Sequence, residues 1–465
     1  MNSASPLTVT APFDGAEIAK LATDDAGAIE ERLATADRLF RDRNAWLPLW
    51  RRIEILERAA EIMRERVEPL TLQAAHEGGK PLADSRVEVE RAVEGFKAAL
   101  DCLRTEAGEV VPMGLNRASA GRIAFTQTEP IGPVVAVSAF NHPVNLIVHQ
   151  VVPAVAAGCP VIVKPAEDTP LSCRSVVEVL HEAGLPPEWC RVAHPADLSL
   201  AEALVTDPRV GFFSFIGSAR VGWHLRSKLA PGTRCALEHG GAAPVIVAAD
   251  AEIEEILPSL LKGGFYHAGQ VCVSVQRVFA DRRIAHDLAE ALAAGAAKLT
   301  VGDPTEEATE VGPLIRPGEV TRVGEWVEEA GADHALTGAR SLSDRLYTPT
   351  VLYDPPDDVR VSTQEVFGPV VCVYPTDDLE AAVARANALP FAFQAAVFTR
   401  DLDAALEGFH RLRASAVMVN DHTAFRVDWM PFAGLGQSGL GVGGIPHTLR
   451  DMQIEKMLVL RSPLA

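Results

Sequence analysis

From about Asp25 to Glu109, apolar residues recur at helical spacing, through Ile53, Leu56, Ala60 and Ile62 and again through Val89, Ala92, Val93 and Phe96. Charges fill the intervening faces, and Gly78-Gly79-Lys80-Pro81 breaks the run into separate helices. At Arg122 the period changes: Arg122 to Glu129 alternates as a half-exposed strand does. Short β-rich runs follow at Val134 to Val137, Val161 to Val163 and Gly211 to Phe215. Ser172 to Glu182 and Ala219 to Leu229 fit crossover helices between them. Alternating strand and helix predicts a parallel sheet covered on both faces. A second alternation begins after Gly240-Gly241. It has strands at Pro244 to Val247, Val370 to Tyr374, Ala395 to Phe398 and Ala416 to Val419, and helices at Ile284 to Leu299 and Leu379 to Ala388. No repeat or low-complexity linker divides the halves, so a cleft near Glu238 to Gly241 is expected between them.

The chain has 465 residues, too many for one core, and 48% are apolar, which supplies a large interior. Its formal charge of −19 argues against a nucleic-acid or anionic-membrane partner. The seven cysteines, Cys102, Cys159, Cys173, Cys190, Cys235, Cys272 and Cys372, are scattered and form no C-x-x-C pair. That pattern suits a reducing compartment without structural disulfides or a bound metal. The start, Met1-Asn2-Ser3-Ala4-Ser5-Pro6, has neither the basic opening nor the apolar core of a signal peptide. No apolar run reaches membrane-spanning length. A cytoplasmic enzyme is the expectation.

Three short segments carry chemistry. Gly269-Gln270-Val271-Cys272 offers a sulfur nucleophile in small, polar surroundings. Leu237-Glu238-His239-Gly240-Gly241 offers a carboxylate next to glycines that let the backbone approach a ligand. Phe140-Asn141-His142-Pro143 offers a side-chain amide. Thiol, carboxylate and amide are the equipment for passing an acyl group through a thioester. Each has a plainer reading too: a buried cysteine, a solvated glutamate, an asparagine capping a turn before proline. Gly434-Leu435-Gly436-Gln437-Ser438-Gly439 matches G-x-G-x-x-G, but no buried strand precedes it, so it reads as a glycine-rich loop and not a dinucleotide fingerprint.

These segments, in this order, resemble the NAD(P)-dependent aldehyde dehydrogenase superfamily. Further stretches in the same series are Gly79-Lys80-Pro81, Lys164-Pro165-Ala166-Glu167, Phe215-Ile216-Gly217-Ser218, Glu365-Val366-Phe367-Gly368-Pro369 and Pro431-Phe432-Ala433-Gly434 with Ser438-Gly439. The resemblance implies an α/β fold of two parallel-sheet domains with a small β oligomerisation flap. Residues 1–112 and 131–239 would bind NAD, 240–445 would form the catalytic domain, and 113–130 with 446–465 the flap. A homodimer or homotetramer is implied. Cys272 would attack the aldehyde, helped by a lowered thiol pKa; Asn141 would steady the oxyanion, and Glu238 would activate water to hydrolyse the thioester. Ser138, Ala139, Phe140, Lys164, Ala166, Glu167, Gly217, Ser218, Val221, Gly240, Glu365 and Phe367 would hold the cofactor. Glu167 would accept from the adenosine ribose hydroxyls and repel a 2′-phosphate, so NAD is expected in preference to NADP.

By the same mapping, His142, Asn145, His149, Tyr266, Val271, Arg426 and Phe432 face the substrate. The run around Arg426 resembles the branch acting on lactaldehyde, phosphonoacetaldehyde and similar small polar aldehydes. An arginine in a tunnel calls for an anion or polar partner, which is either the substrate or Asp428. Val271 speaks against a phosphate or phosphonate tail, and Arg104 is a further candidate cation. His239, Ala242 and His267 depart from the usual residues, through repacking or through a titrating histidine beside Glu238. The alternatives are a dehydrogenase for aromatic or apolar aldehydes, a coenzyme A-acylating relative, and a non-catalytic protein on the same fold.

Overall fold

The computed structural model describes residues 5–463; the leader reading and the outer ends of the ranges 1–112 and 446–465 fall partly outside them. The helical N-terminal run forms Ala26–Arg41, Leu49–Glu65, Val67–Gly78 and Leu82–Thr105. Asp25 caps the first by accepting from the Ala28 N–H at 2.9 Å. Gly79, at φ 74°, ends the third in the left-handed region.

Six strands build one sheet, in the order Gly439–Leu440, Arg234–Glu238, Phe212–Ile216, Val134–Val137, Val161–Lys164, Cys190–Val192. All pairs are parallel except the edge Gly439–Leu440, which runs antiparallel to Arg234–Glu238. That pairing accounts for the G-x-G-x-x-G run: it is a loop returning to the sheet edge, as its sequence context predicts. The helix Asn145–Ala157 beneath this sheet is buried along nearly its whole length and includes Pro153. Its few polar residues, Asn145, His149 and Gln150, are buried with the apolar ones, so no exposed polar face marks a helical period in the sequence.

A second sheet has seven strands, in the order Ala335–Thr337, Thr350–Tyr353, Val370–Thr376, Val275–Asp281, Ala243–Val247, Gln394–Phe398, Ala416–Val419. Only the first is antiparallel to its neighbour. Its strands carry a separate apolar core centred on Val278, Val371, Val373 and Val397. The chain leaves the first sheet at Glu238 and enters the second at Ala243, so the glycine pair at Gly240 and Gly241 lies where one sheet hands over to the other. The carboxyl ends of the first sheet's strands, Val137, Lys164, Ile216 and Glu238, share one edge, where open α/β sheets bind ligands.

A third, antiparallel sheet pairs Arg122–Pro130 with Gln453–Arg461 along nine residues, and Val110–Val111 joins its other side. No helix among the described residues is long and apolar enough to cross a membrane.

Candidate active site

A cavity of about 1090 Å³ opens between the two parallel sheets, and the candidate residues named from the sequence line it, Arg104 excepted. At its centre stand three side chains from distant segments. Cys272 follows a tight turn, Tyr266–Gly269, in which His267 and Ala268 take left-handed φ values of 48° and 54°. Gln270 fastens that turn: its Nε2 donates to the Pro313 carbonyl at 3.1 Å, and its Oε1 accepts from the Ile315 N–H at 2.9 Å. Asn141 Nδ2 donates to the Gln270 carbonyl at 3.0 Å, which sets the amide beside the cysteine loop and leaves its second N–H uncommitted. Cys272 Sγ lies 3.9 Å from Glu238 Oε1 at the strand end.

Burial pushes the Glu238 carboxyl above its ordinary value, opposed by Arg426 and the cysteine. Burial and the Glu238 carboxylate also push the Cys272 thiol well up. The expected lowering of that thiol is therefore reversed in the free protein, because burial and the Glu238 carboxylate outweigh Arg426. A protonated thiol with a carboxyl group at this separation can still exchange a proton, or hold a water, between sulfur and oxygen.

On one side the cavity runs along the carboxyl edge of the first sheet. Ser138, Ala139 and Phe140 follow its central strand; Lys164, Ala166 and Glu167 follow the next; Gly217, Ser218 and Val221 open the helix Ala219–Arg226. Lys164 is half-buried and, among the described residues, bonds only to the neighbouring Pro165 carbonyl, at 3.2 Å. Ser138 Oγ is buried with no partner. Glu365 accepts from the Gly241 N–H at 3.2 Å, and a side chain on Gly240 would collide with it. Burial raises the Glu365 carboxyl to about 8. Phe140 and Phe367 meet edge-on, with centroids 5.9 Å apart. A groove with helix N–H groups, a cation, an orphaned hydroxyl and a carboxyl pair suits a dinucleotide with its ribose hydroxyls and pyrophosphate.

On the other side stand His142, Asn145, His149, Tyr266, Val271, Arg426 and Phe432. Arg426 stacks its guanidinium 3.5 Å above the Phe432 ring and donates to His149 Nδ1 at 3.4 Å. Asp428 is not its ion-pair partner. That carboxylate is held by Arg91 (3.2 and 2.8 Å), by Asn145 Nδ2 (2.9 Å) and by His149 Nε2 (2.7 Å). Among the described residues Arg426 makes no ion pair; its guanidinium lines the cavity within the field of the Glu238 carboxylate. Asn145 is thus committed to the wall by its amide nitrogen. Arg104 is not at the site; it pairs with Glu57 on the surface.

Sequence reasoning missed Arg91, Lys262 and the buried pair Lys80–Glu88. Lys80 Nζ contacts His142 Nδ1 at 2.6 Å, while Glu88 accepts from the Val144 and Asn145 N–H groups at 2.8 and 2.9 Å. Asp84, Glu88 and Arg91 recur at four and three positions along one helix, on a face that is otherwise apolar; that spacing is the signal that marks them.

Against this geometry stand the comparisons. The model of the aldehyde dehydrogenase family matches residues 1–458. The chain is 37% identical over 448 residues to a 3-sulfolactaldehyde dehydrogenase from Priestia aryabhattai, covering 96% of this chain and 92% of that one. Its structure is similar, with a TM-score of 0.94 and 32% identity, to aldehyde dehydrogenase 21 from Physcomitrella patens in complex with succinate, over 100% of this chain and 96% of that one. A glyceraldehyde-3-phosphate dehydrogenase from Methanocaldococcus jannaschii complexed with NADP matches with a TM-score of 0.92 and 31% identity, over 99% and 100% of the two chains. A match along nearly the whole sequence, on the same fold, establishes that the chain belongs to the aldehyde dehydrogenase family.

Proposed function

We propose that this enzyme oxidises a short aldehyde bearing a hydroxyl and an anionic tail to its carboxylate, using NAD. The observation that carries the reading is the cavity itself: it is lined by Cys272, Glu238 and Asn141 together with Arg426, which makes no ion pair among the described residues. Cys272 Sγ, once its proton has been lost to solvent, adds to the aldehyde carbon as a thiolate. The free Asn141 N–H and the Cys272 backbone N–H receive the oxyanion. A bound nicotinamide would supply the hydride acceptor, and loss of hydride to it would leave a thioester on Cys272. Glu238 then takes a proton from water as it attacks, and the acid leaves. A carboxyl raised by burial is a better base for that step than an exposed one.

Ser138, Ala139, Phe140, Lys164, Ala166, Glu167, Gly217, Ser218, Val221, Gly240, Glu365 and Phe367 would hold the cofactor, within a unit of residues 1–112 and 131–239 facing the catalytic unit 240–445. Glu167 beside the adenosine ribose would repel a 2′-phosphate, which supports NAD over NADP. Arg426 would take the tail of the aldehyde, with His142, Asn145, His149, Tyr266, Val271 and Phe432 around it. A 3-sulfolactaldehyde, as in the name of the Priestia relative, combines a hydroxyl with a singly charged sulfonate and fits one free cation. The strands Arg122–Pro130 and Gln453–Arg461 would form the oligomerisation flap. The test is a panel of aldehydes with NAD and with NADP, read by absorbance of the reduced cofactor. The reading requires hydroxylated anionic aldehydes with NAD to give the highest kcat/KM; a preference for propanal or benzaldehyde, or for NADP, would overturn it.

A further inference from the structure

The residue after the catalytic glutamate is a histidine whose ring points away from the chemistry. His239 is buried, with its ring between Phe215 and Trp223 at centroid distances of 5.6 and 5.7 Å, and above Gly222, where any side chain would strike it. Its Nδ1–H donates to the Gly217 carbonyl at 2.8 Å, since a carbonyl can only accept. Its Nε2 is buried with no partner, which makes the ring neutral with the proton on Nδ1. The Gly217 N–H donates to the Glu238 carbonyl at 3.0 Å, so Gly217 is held at both ends by the strand exit at Glu238-His239.

In a trans peptide the C=O and the N–H on its two sides point in opposite directions. Pinning the Gly217 carbonyl onto His239 therefore turns the Ser218 N–H the other way. Gly217 and Ser218 line the large cavity at the start of the helix Ala219–Arg226, and the Ser218, Ala219 and Arg220 N–H groups have no backbone acceptor. The buried, unpartnered Ser138 Oγ lines the same cavity. We infer that His239 is a positioning residue for the cofactor: its ring fixes the Gly217–Ser218 peptide so that the Ser218 N–H faces a pyrophosphate oxygen. The inference rests on the dinucleotide reading of this groove.

The test measures the Kd of NAD by calorimetry on the full chain, for the unaltered protein, His239→Leu and His239→Asn. Leucine fills the aromatic slot but donates nothing. Asparagine places an N–H donor where Nδ1 stands. A roughly tenfold rise in Kd is expected for His239→Leu, the size of one well-placed hydrogen bond to a charged oxygen. Recovery to within about threefold is expected for His239→Asn. In steady state, KM for NAD should rise with His239→Leu while KM for the aldehyde stays constant. Equal Kd values for the unaltered protein and His239→Leu would overturn the inference, as would an asparagine variant no better than leucine, which would mean packing alone. Absence of NAD binding by the unaltered protein would instead overturn the dinucleotide reading.

Discussion

Cys272, Glu238 and Arg426 each make a separate prediction. Cys272→Ala should abolish reduced-cofactor formation, while calorimetry finds NAD binding unchanged; turnover at the original rate would remove the nucleophile. Because burial raises Glu238, its base form is lost on acidification earlier than for an exposed glutamate. The acid limb of kcat should therefore lie above the usual carboxylate range and move down if Glu238 is made more exposed. Burial of Cys272 has the same sign for the first step: the thiolate fraction of the free enzyme grows with pH, so kcat/KM should climb on the alkaline side. Flat profiles through both limbs would contradict these assignments. Arg426→Ala should raise KM for anionic aldehydes by about 30-fold, the worth of roughly 2 kcal/mol in a charge-assisted contact, and leave propanal nearly unaffected. An equal effect on both would show that Arg426 only supports Phe432.

At the scale of elements, the wall behind the substrate end depends on Asp428. Despite the cost of burial, hydrogen bonds from His149 and Arg91 hold its carboxyl well below the ordinary range, and burial lowers His149 to about 4, so the ring donates while neutral. Asp428 thereby fastens the helices Leu82–Thr105 and Asn145–Ala157 to the segment bearing Arg426. Asp428→Ala leaves Arg91 without its partner and should cost ~3–5 kcal/mol of stability in urea unfolding, as removal of one member of a buried pair does. A change below about 1 kcal/mol would mean that the network adds no net stability. Sequence pattern located most elements because amphipathic helices such as Leu379–Ala386 and β-branched strands such as Val370–Thr376 announce their period. It missed Asn145–Ala157, whose polar residues are buried along with the apolar ones, and Arg91, whose partner is 337 positions away. The site residues were legible because short motifs resemble a family; their mutual distances, the raised Cys272 thiol and the unpaired state of Arg426 belong to tertiary packing, which no local pattern carries.

For the whole molecule, residues from both parallel-sheet units line one cavity, while the third sheet exposes apolar side chains. Leu458 pairs with Phe125 and Leu460 with Ile123, and all four are between 40% and 49% exposed. An apolar strip of that kind is the surface that the proposed oligomer would cover. Leu458→Asp with Leu460→Asp should reduce the mass found by light scattering to that of one chain; an unaltered protein that is already monomeric would remove the flap from the account.

The central claim is that an acyl group rests on Cys272 until Glu238 delivers water. Intact-mass measurement of Glu238→Gln, mixed with NAD and the best aldehyde of the panel, reads this directly. The account predicts a mass increase equal to the acyl group, located by peptide mapping on the segment containing Cys272, after one equivalent of reduced cofactor has formed. Continued turnover at the unaltered rate with no adduct, or an adduct on another cysteine, would contradict it.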